Sequence, residues 1–258
     1  MTIVVFTDLD GTLLDHDTYS YAAAAPALNA LRVQRIPLIL TTSKTAAEVA
    51  PLHTELGLGA TPAIVENGAG VFRPGAKDGD SDAAYRRIRA VLNSIPRSVS
   101  EPFRGFGDMD ASELSQITGL PARAATLARQ RCHSEPGLWT GTDDQERAFV
   151  AALAAHGIAA RWGGRFLTLS FGRTKADAMQ DIATELAATV TIALGDAPND
   201  REMLESADLG IIVRNDHAPP LPPLSGEADG RILRTDAPGP EGWNIAVLDA
   251  VSRVAAPE

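Results

Sequence analysis

The N-terminal third of the chain alternates short apolar runs with helical patterns, and the same rhythm returns only after residue 166. Ile3–Thr7 (IVVFT) reads as a buried strand, and Tyr21–Arg35 as a helix with Leu28 and Leu31 on one face. Pro37–Thr41 is a second strand, Thr45–Leu56 a second helix closed by Gly57, and Ala63–Glu66 a third strand. Strand, helix, strand, helix, strand is the pattern of a parallel sheet with crossover helices. Arg73–Asp82, rich in turn and charged residues, reads as a linker. Residues 83–165 then carry helices such as Tyr85–Leu92 and Gln145–His156, with weaker strand signals between them. The rhythm resumes with Phe166–Phe171, helix Lys175–Ala188, strand Val190–Leu194, short helix Asp200–Ser206 and strand Leu209–Val213. A Pro-rich loop, Ala218–Leu224, and a last helix, Trp243–Val254, complete the chain. The fold class predicted is α/β: a Rossmann-like parallel-sheet core from residues 1–80 and 167–258, interrupted by an α/β domain at 81–166.

The length, 258 residues, suits two such domains. Hydrophobic residues at 45% and charged residues at 22% are ordinary for a soluble globular chain. No apolar stretch is long enough to span a membrane, and the N-terminus lacks a basic region and an apolar core of the secretory kind. The lone Cys132 has no partner within the chain, so a cytoplasmic location is expected. A net charge of −10 disfavours nucleic acid and anionic membrane as partners. Within the basic residues, 20 are arginine and only Lys44, Lys77 and Lys175 are lysine. Lysine is a compact point charge and arginine a wide planar fork, so a site that needs the former retains lysine. Lys77, in the polar linker, reads as exposed.

In open α/β sheets ligands bind at the carboxyl ends of the strands. Asp8 and Asp10 follow the first strand; Thr42, Ser43 and Lys44 the second; Glu66 and Asn67 the third; Asp196, Asn199 and Asp200 the strand ending at Leu194. Asp8 and Asp10, two apart on extended chain, point the same way, and Gly11 lets the backbone leave sharply. One carboxylate of such a pair suits nucleophilic attack at phosphorus, the other proton transfer. A divalent cation, normally Mg²⁺, relieves their repulsion, and Asp196 is placed to share it with Asp8. A hydroxyl at Thr42 and an ammonium at Lys175 suit the non-bridging oxygens of a transferring phosphoryl group.

These residues together resemble the signature of the haloacid-dehalogenase (HAD) superfamily phosphatases: Asp8-Leu-Asp10-Gly-Thr12, Thr42, Lys175 and Gly195-Asp196-Ala-Pro-Asn199-Asp200. The insertion between Thr42 and Lys175 resembles the α/β cap of the type IIB group. The resemblance implies Asp8 as nucleophile and Asp10 as general acid and base. It implies Mg²⁺ held by Asp8, Asp196 and the backbone carbonyl of Asp10, with Asn199 and Asp200 supporting the metal side, and Thr42 and Lys175 gripping the phosphoryl group. A narrower likeness is to the mannosyl-3-phosphoglycerate phosphatases. It rests on Thr42–Thr45 (TSKT), Ile64–Gly68 (IVENG), Gly105–Asp108 (GFGD), Ile117–Leu120 (ITGL), Arg131 with Ser134-Glu135, Gly163–Phe166 (GGRF) and Pro238–Trp243 (PGPEGW). The chain departs from that pattern at Thr168, where histidine is common, and at Thr174-Lys175-Ala176-Asp177, where Lys-Gly is common.

The likeness implies a sugar joined to 3-phosphoglycerate as substrate, a small phosphorylated sugar acid. Ser43, Lys44, Glu66, Asn67, Arg131, Glu135, Gly163, Gly164 and Arg165 are the candidate substrate contacts, with Lys44, Arg131 and Arg165 supplying positive charge in an acidic protein. Trp139, Trp162 and Trp243 read as packing residues, and the histidines, with no paired spacing, as incidental. Two alternatives stay open: a phosphatase of another sugar phosphate, hexose or sucrose, and a phospho-receiver module using Asp8. A dinucleotide-binding oxidoreductase is disfavoured, because no G-x-G-x-x-G follows the first strand.

Overall fold

The computed structural model describes residues 1–76 and 82–255, so Lys77 and half of the expected linker lie outside the described residues. In chain order the first elements are β1 (Ile3–Thr7), α1 (Ala25–Gln34), β2 (Leu38–Leu40), α2 (Ala46–Glu55), β3 (Ala63–Val65) and β4 (Gly70–Phe72). There follow α3 (Ala83–Ser94), α4 (Arg97–Ser100), β5 (Phe103–Gly105), α5 (Ala111–Thr118), α6 (Ala122–Ala128), β6 (Glu135–Trp139), α7 (Asp143–Ala154), β7 (Ala159–Gly163) and β8 (Phe166–Ser170). The remainder are α8 (Lys175–Glu185), β9 (Val190–Gly195), α9 (Arg201–Ser206), β10 (Leu209–Arg214), β11 (Ile232–Pro238) and α10 (Gly239–Ala255).

Five strands form one parallel sheet in the order β11-β10-β9-β1-β2. Alternate residues of its strands enter two different cores, as the period of two requires. Val5, Leu38, Leu40, Ile192, Leu194, Ile211 and Val213 pack with Leu31 of α1 and Trp243 and Val247 of α10. Val4, Phe6, Ile39, Ala193 and Ile212 pack with Met179 and Ile182 of α8 and Met203 and Leu204 of α9. Burial on both faces explains why these strands read as continuous apolar runs.

β3 departs from the expected third parallel strand. It touches the sheet through one parallel bridge, Thr41 to Ile64, and its ladder is antiparallel with β4. The chain turns back immediately after Val65, at Glu66 and Asn67, both with positive φ. A second sheet, antiparallel, has the order β5-β6-β8-β7. One face packs Phe103, Leu167 and Leu169 against Ile88 of α3 and Phe149 and Leu153 of α7; Leu138 and Phe166 join Leu114 of α5 and Ala125 of α6 in another cluster. β8 belongs to this sheet, so a division at 166/167 falls inside a strand.

Candidate active site

The site assembles where the parallel sheet reverses its winding. β1 has β2 on one side and β9 on the other, and the carboxyl ends of all three converge on Asp8. Asp8 is buried, and its backbone N–H donates to the Leu194 carbonyl at 2.9 Å. The strand end is held from behind: buried Trp243 donates its indole N–H to Thr7 Oγ1 at 2.9 Å.

Lys175 is placed by the start of α8. Thr174 caps that helix in a capping box with Asp177, which fixes where the first turn begins. The Lys175 ammonium, 1% exposed, lies 2.6 Å from Asp8 Oδ1 and 2.6 Å from Asp200 Oδ1. Asp200 Oδ2 accepts the backbone N–H groups of Asp196 and Ala197 at 3.1 and 3.0 Å. Both oxygens of Asp200 are therefore engaged, one orienting the lysine and the other folding the loop. Asp196 accepts from Thr12 Oγ1 at 2.5 Å and from Asn215 Nδ2 at 2.8 Å. Gly11 sits between them with φ +79°, and a Cβ there would meet Asn215 Nδ2 at 2.5 Å. Only glycine satisfies both the left-handed backbone and the close approach.

The electrostatics follow from this crowding. Burial pushes the Asp8 carboxyl well above the usual carboxylate range; the Lys175 ammonium opposes this, and Asp200 and Asp196 add to it. Asp196 is also raised, by burial first and then by Asp200, with the Thr12 and Asn215 hydrogen bonds pulling the other way. Burial works against the charge on Lys175, but the Asp200 and Asp8 carboxylates outweigh it and hold the ammonium above its ordinary value. Oxygens of Asp8, Asp196 and Asp200 lie within 4.8 Å of one another. Three carboxylates against one ammonium leave an excess of two negative charges, which a divalent cation would neutralise. Asp8 Oδ2 accepts no hydrogen bond among the described residues, and Asp10 Oδ1 is buried with none. The donor set is all oxygen, so these residues fit a hard divalent cation.

The other predicted residues divide into two groups. Asp10 Oδ2 pairs with Lys44 Nζ at 2.7 Å; burial opposes the Lys44 charge, and Asp10, with Glu48 and Tyr19, more than restores it. Buried Thr42 accepts the Lys44 backbone N–H at its Oγ1. Glu66, Asn67, Gly163, Lys175 and Asn199 line a cleft of about 160 Å³. Asn199 Nδ2 donates to Asn67 Oδ1 at 3.0 Å, so its side chain faces across the cleft. The same cleft brings in Arg161, Trp162, Thr168, Arg173 and Glu202. Trp162 is half exposed there, bonded to Glu146, and is not the packing residue expected; Trp243 is buried as expected. Gly164 and Arg165 form the β7–β8 turn, and Arg165 donates to the Ile117 and Thr118 carbonyls at the end of α5.

Glu66, Arg131 and Ser43 form a joint between the two sheets' segments. The Glu66 carboxylate accepts from Cys132 N, His133 N and Ser134 Oγ, and pairs with buried Arg131 at 3.3 Å. Arg131 also donates to Ser134 Oγ and to the carbonyl of exposed Ser43. Glu135, fully buried, pairs with Arg89 at 2.9 Å and accepts the Gly107 N–H; burial nonetheless raises its carboxyl. Removing one partner of a buried ion pair strands the other. Glu66→Ala is expected to lower stability by about 3 kcal/mol or more, read from denaturant unfolding.

A family model for haloacid dehalogenase-like hydrolases matches residues 5–86 and 153–219, more than half of the chain. The protein belongs to this family. It is 35% identical, over 98% of each chain, to a glucosyl-3-phosphoglycerate/mannosyl-3-phosphoglycerate phosphatase of Methanococcoides burtonii. Its fold matches the sucrose-phosphatase of Synechocystis sp. PCC6803, solved with sucrose and phosphate, at a TM-score of 0.63 and 18% identity over 98% of both chains. A HAD subclass IIB sugar phosphatase matches at a TM-score of 0.62 and 15% identity, over 97% of this chain and 99% of that one.

Proposed function

We propose that the protein is a Mg²⁺-dependent phosphomonoesterase that converts a glycosyl-3-phosphoglycerate, mannosyl or glucosyl, into the glycosylglycerate and inorganic phosphate. The observation that carries this reading is the buried Asp8 at the head of β1, one oxygen on Lys175 and the other open, in a chain similar end to end to a phosphatase of that substrate class. The described residues up to β4 and those after β8 form the catalytic core. The antiparallel sheet with its helices acts as the cap that closes over the substrate and excludes water.

In the reaction Asp8 Oδ2 attacks phosphorus as the bond to the glycerate oxygen breaks, and Asp10 donates a proton to that oxygen. Asp10 then takes a proton from water, which attacks the aspartyl-phosphate, breaks the Asp8–phosphorus bond and releases phosphate. Thr42 and Lys175 hold the non-bridging oxygens. Asp200 holds Lys175, while Thr12 and Asn215 hold Asp196. Asp8, Asp196 and the carbonyl of Asp10 are the residues that would hold Mg²⁺, with Asp200 and Asn199 beside them. When bound, the ion neutralises the phosphate and the clustered carboxylates. Lys44 and the arginines of the cleft supply charge for the substrate carboxylate. Cytoplasmic residence fits a chain with a single cysteine; among the described residues no helix is long and apolar enough to cross a membrane.

A panel of phosphomonoesters ranked by kcat/KM tests the substrate. The highest value is expected for a glycosyl-3-phosphoglycerate; a higher value for sucrose phosphate or a hexose phosphate would replace it, and a phosphorylated protein surviving for minutes with Mg²⁺ present would indicate a receiver instead.

Metal and proton compete for the same oxygens. Asp8 and Asp196 bind protons more tightly folded than unfolded, so their contribution favours the metal-free fold at low pH. It is lost as pH rises from the ordinary value of 3.8 through the raised ones. The rise in Tm on adding Mg²⁺ is therefore expected to be small near about pH 5 and larger near about pH 8. A rise independent of pH would contradict this competition.

A further inference from the structure

Outside the carboxylate cluster, a second group of ligand-type side chains meets at the rim of the sheet. His16 follows β1 and His217 follows β10, far apart in the chain. Their rings stack with centroids 4.2 Å apart and planes 13° from parallel. His217 Nε2 lies 3.7 Å from Asp17 Oδ2, and one ligand atom from each of the three residues lies within 4.8 Å of the others. Apart from the Asp17 contact, neither imidazole is hydrogen-bonded among the described residues. A cleft of about 80 Å³ opens beside the rings, lined also by Asp15, Asp216 and Arg214. The charge of Arg214 is already matched by Asp216 at 2.7 Å.

Two imidazoles and a carboxylate are a donor set for a borderline ion, whereas the all-oxygen cluster suits magnesium. Zinc takes nitrogen at about 2.0–2.1 Å and carboxylate oxygen at about 2.0–2.2 Å, which sets tetrahedral ligands roughly 3.4 Å apart. The 3.7 Å separation of His217 and Asp17 is near that value; the two imidazoles are stacked, so their in-plane lone pairs converge on one ion only if one ring rotates out of the stack, and all three side chains are exposed. We propose that His16, Asp17 and His217 form a Zn²⁺ site separate from the catalytic cluster, with water completing the shell. The site ties the loop after β1 to the loop after β10. The second loop carries Asn215, which accepts the His217 backbone N–H at 2.9 Å and donates to Asp196. Bound zinc would thus brace the strut that orients Asp196.

The test is calorimetric titration of the full-length protein with Zn²⁺ in excess Mg²⁺, which keeps the carboxylate cluster filled. One zinc ion per chain is expected to bind. His16→Ala and His217→Ala should each weaken it by at least about tenfold, the lower limit seen even for loss of outer-shell partners, and the double variant should abolish it. Co²⁺ in place of Zn²⁺ should give visible absorption in the native protein and none in the double variant. Phosphate release with Mg²⁺ alone, unchanged in the histidine variants, shows that they fold. No zinc uptake by the native protein, or full uptake by the double variant, would overturn the assignment whether or not the phosphatase reading holds.

Discussion

Asp8→Asn is expected to lower phosphate release by about 10⁴-fold or more, the scale of loss when a nucleophile is removed. The fold should remain intact. The carboxylate is buried among Asp196 and Asp200, and its charge is unfavourable there without a cation, so a neutral isostere removes repulsion as well as reactivity. The metal-free variant should therefore unfold at a temperature equal to or above that of the native protein, and its advantage should grow as pH rises and the native carboxyl gains charge. The paired readouts separate chemistry from structure. Turnover near the native rate would remove Asp8 as the attacking group, and a large fall in Tm would assign it a structural role instead.

Lys175→Ala has the second large effect, and it acts on both stability and rate. The ammonium sits between two buried carboxylates at 2.6 Å each, so its removal leaves Asp8 and Asp200 facing each other without a counter-charge. Breaking a buried pair in this way costs about 3–5 kcal/mol. The loss should ease at low pH, because the Asp8 carboxyl, already raised by burial, takes up a proton there and favours the fold only below its raised value. Phosphate release should fall by about 10³-fold, the upper range for losing one group that stabilises a charged transition state. Lys175→Arg keeps the charge but presents a wide fork where a point charge bridges two oxygens, and it is not expected to restore either quantity. Full rescue by arginine would show that charge alone matters at this position. Unfolding midpoints and kcat, measured across pH for both variants, decide between these outcomes.

The central strands were legible because both of their faces are buried, which makes each a continuous apolar run ending abruptly in a polar residue. β11 was not read from the sequence because it is an edge strand. Its sequence ILRTDAP alternates buried or half-buried with exposed residues, and Arg234 and Asp236 make it look like a loop. β3 misled for another reason: its apolar residues match a sheet strand, but the reversal at Glu66 and Asn67 sends the chain back into an antiparallel pair. Among site residues, Asp8, Lys175, Asp196 and Asp200 stand in recognisable spacing after strands, and the fold brings them together. Asn215 is a lone amide after β10 with no motif around it, and only the proximity of Gly11 gives it meaning. Glu66, Arg131 and Glu135 are candidate substrate contacts in the sequence; the fold also gives each a bond to neighbouring protein groups, while Glu66 still lines the cleft. Residue type alone does not show which carboxylates also hold the protein's own segments together. The same holds for His16 and His217, whose approach depends on two loops far apart in sequence.

The register of β1, with Ile3–Thr7 against Val190–Leu194, bears on how the molecule comes into being. The central strand is synthesised well before β9, its partner on one side, because the whole antiparallel unit lies between them. Such long-range pairing slows folding and keeps an apolar strand exposed meanwhile. A nascent chain stalled before β9 would hold the Asp8 side chain without Asp196 or Asp200, and so would be inert until β9 and the loop after it are made.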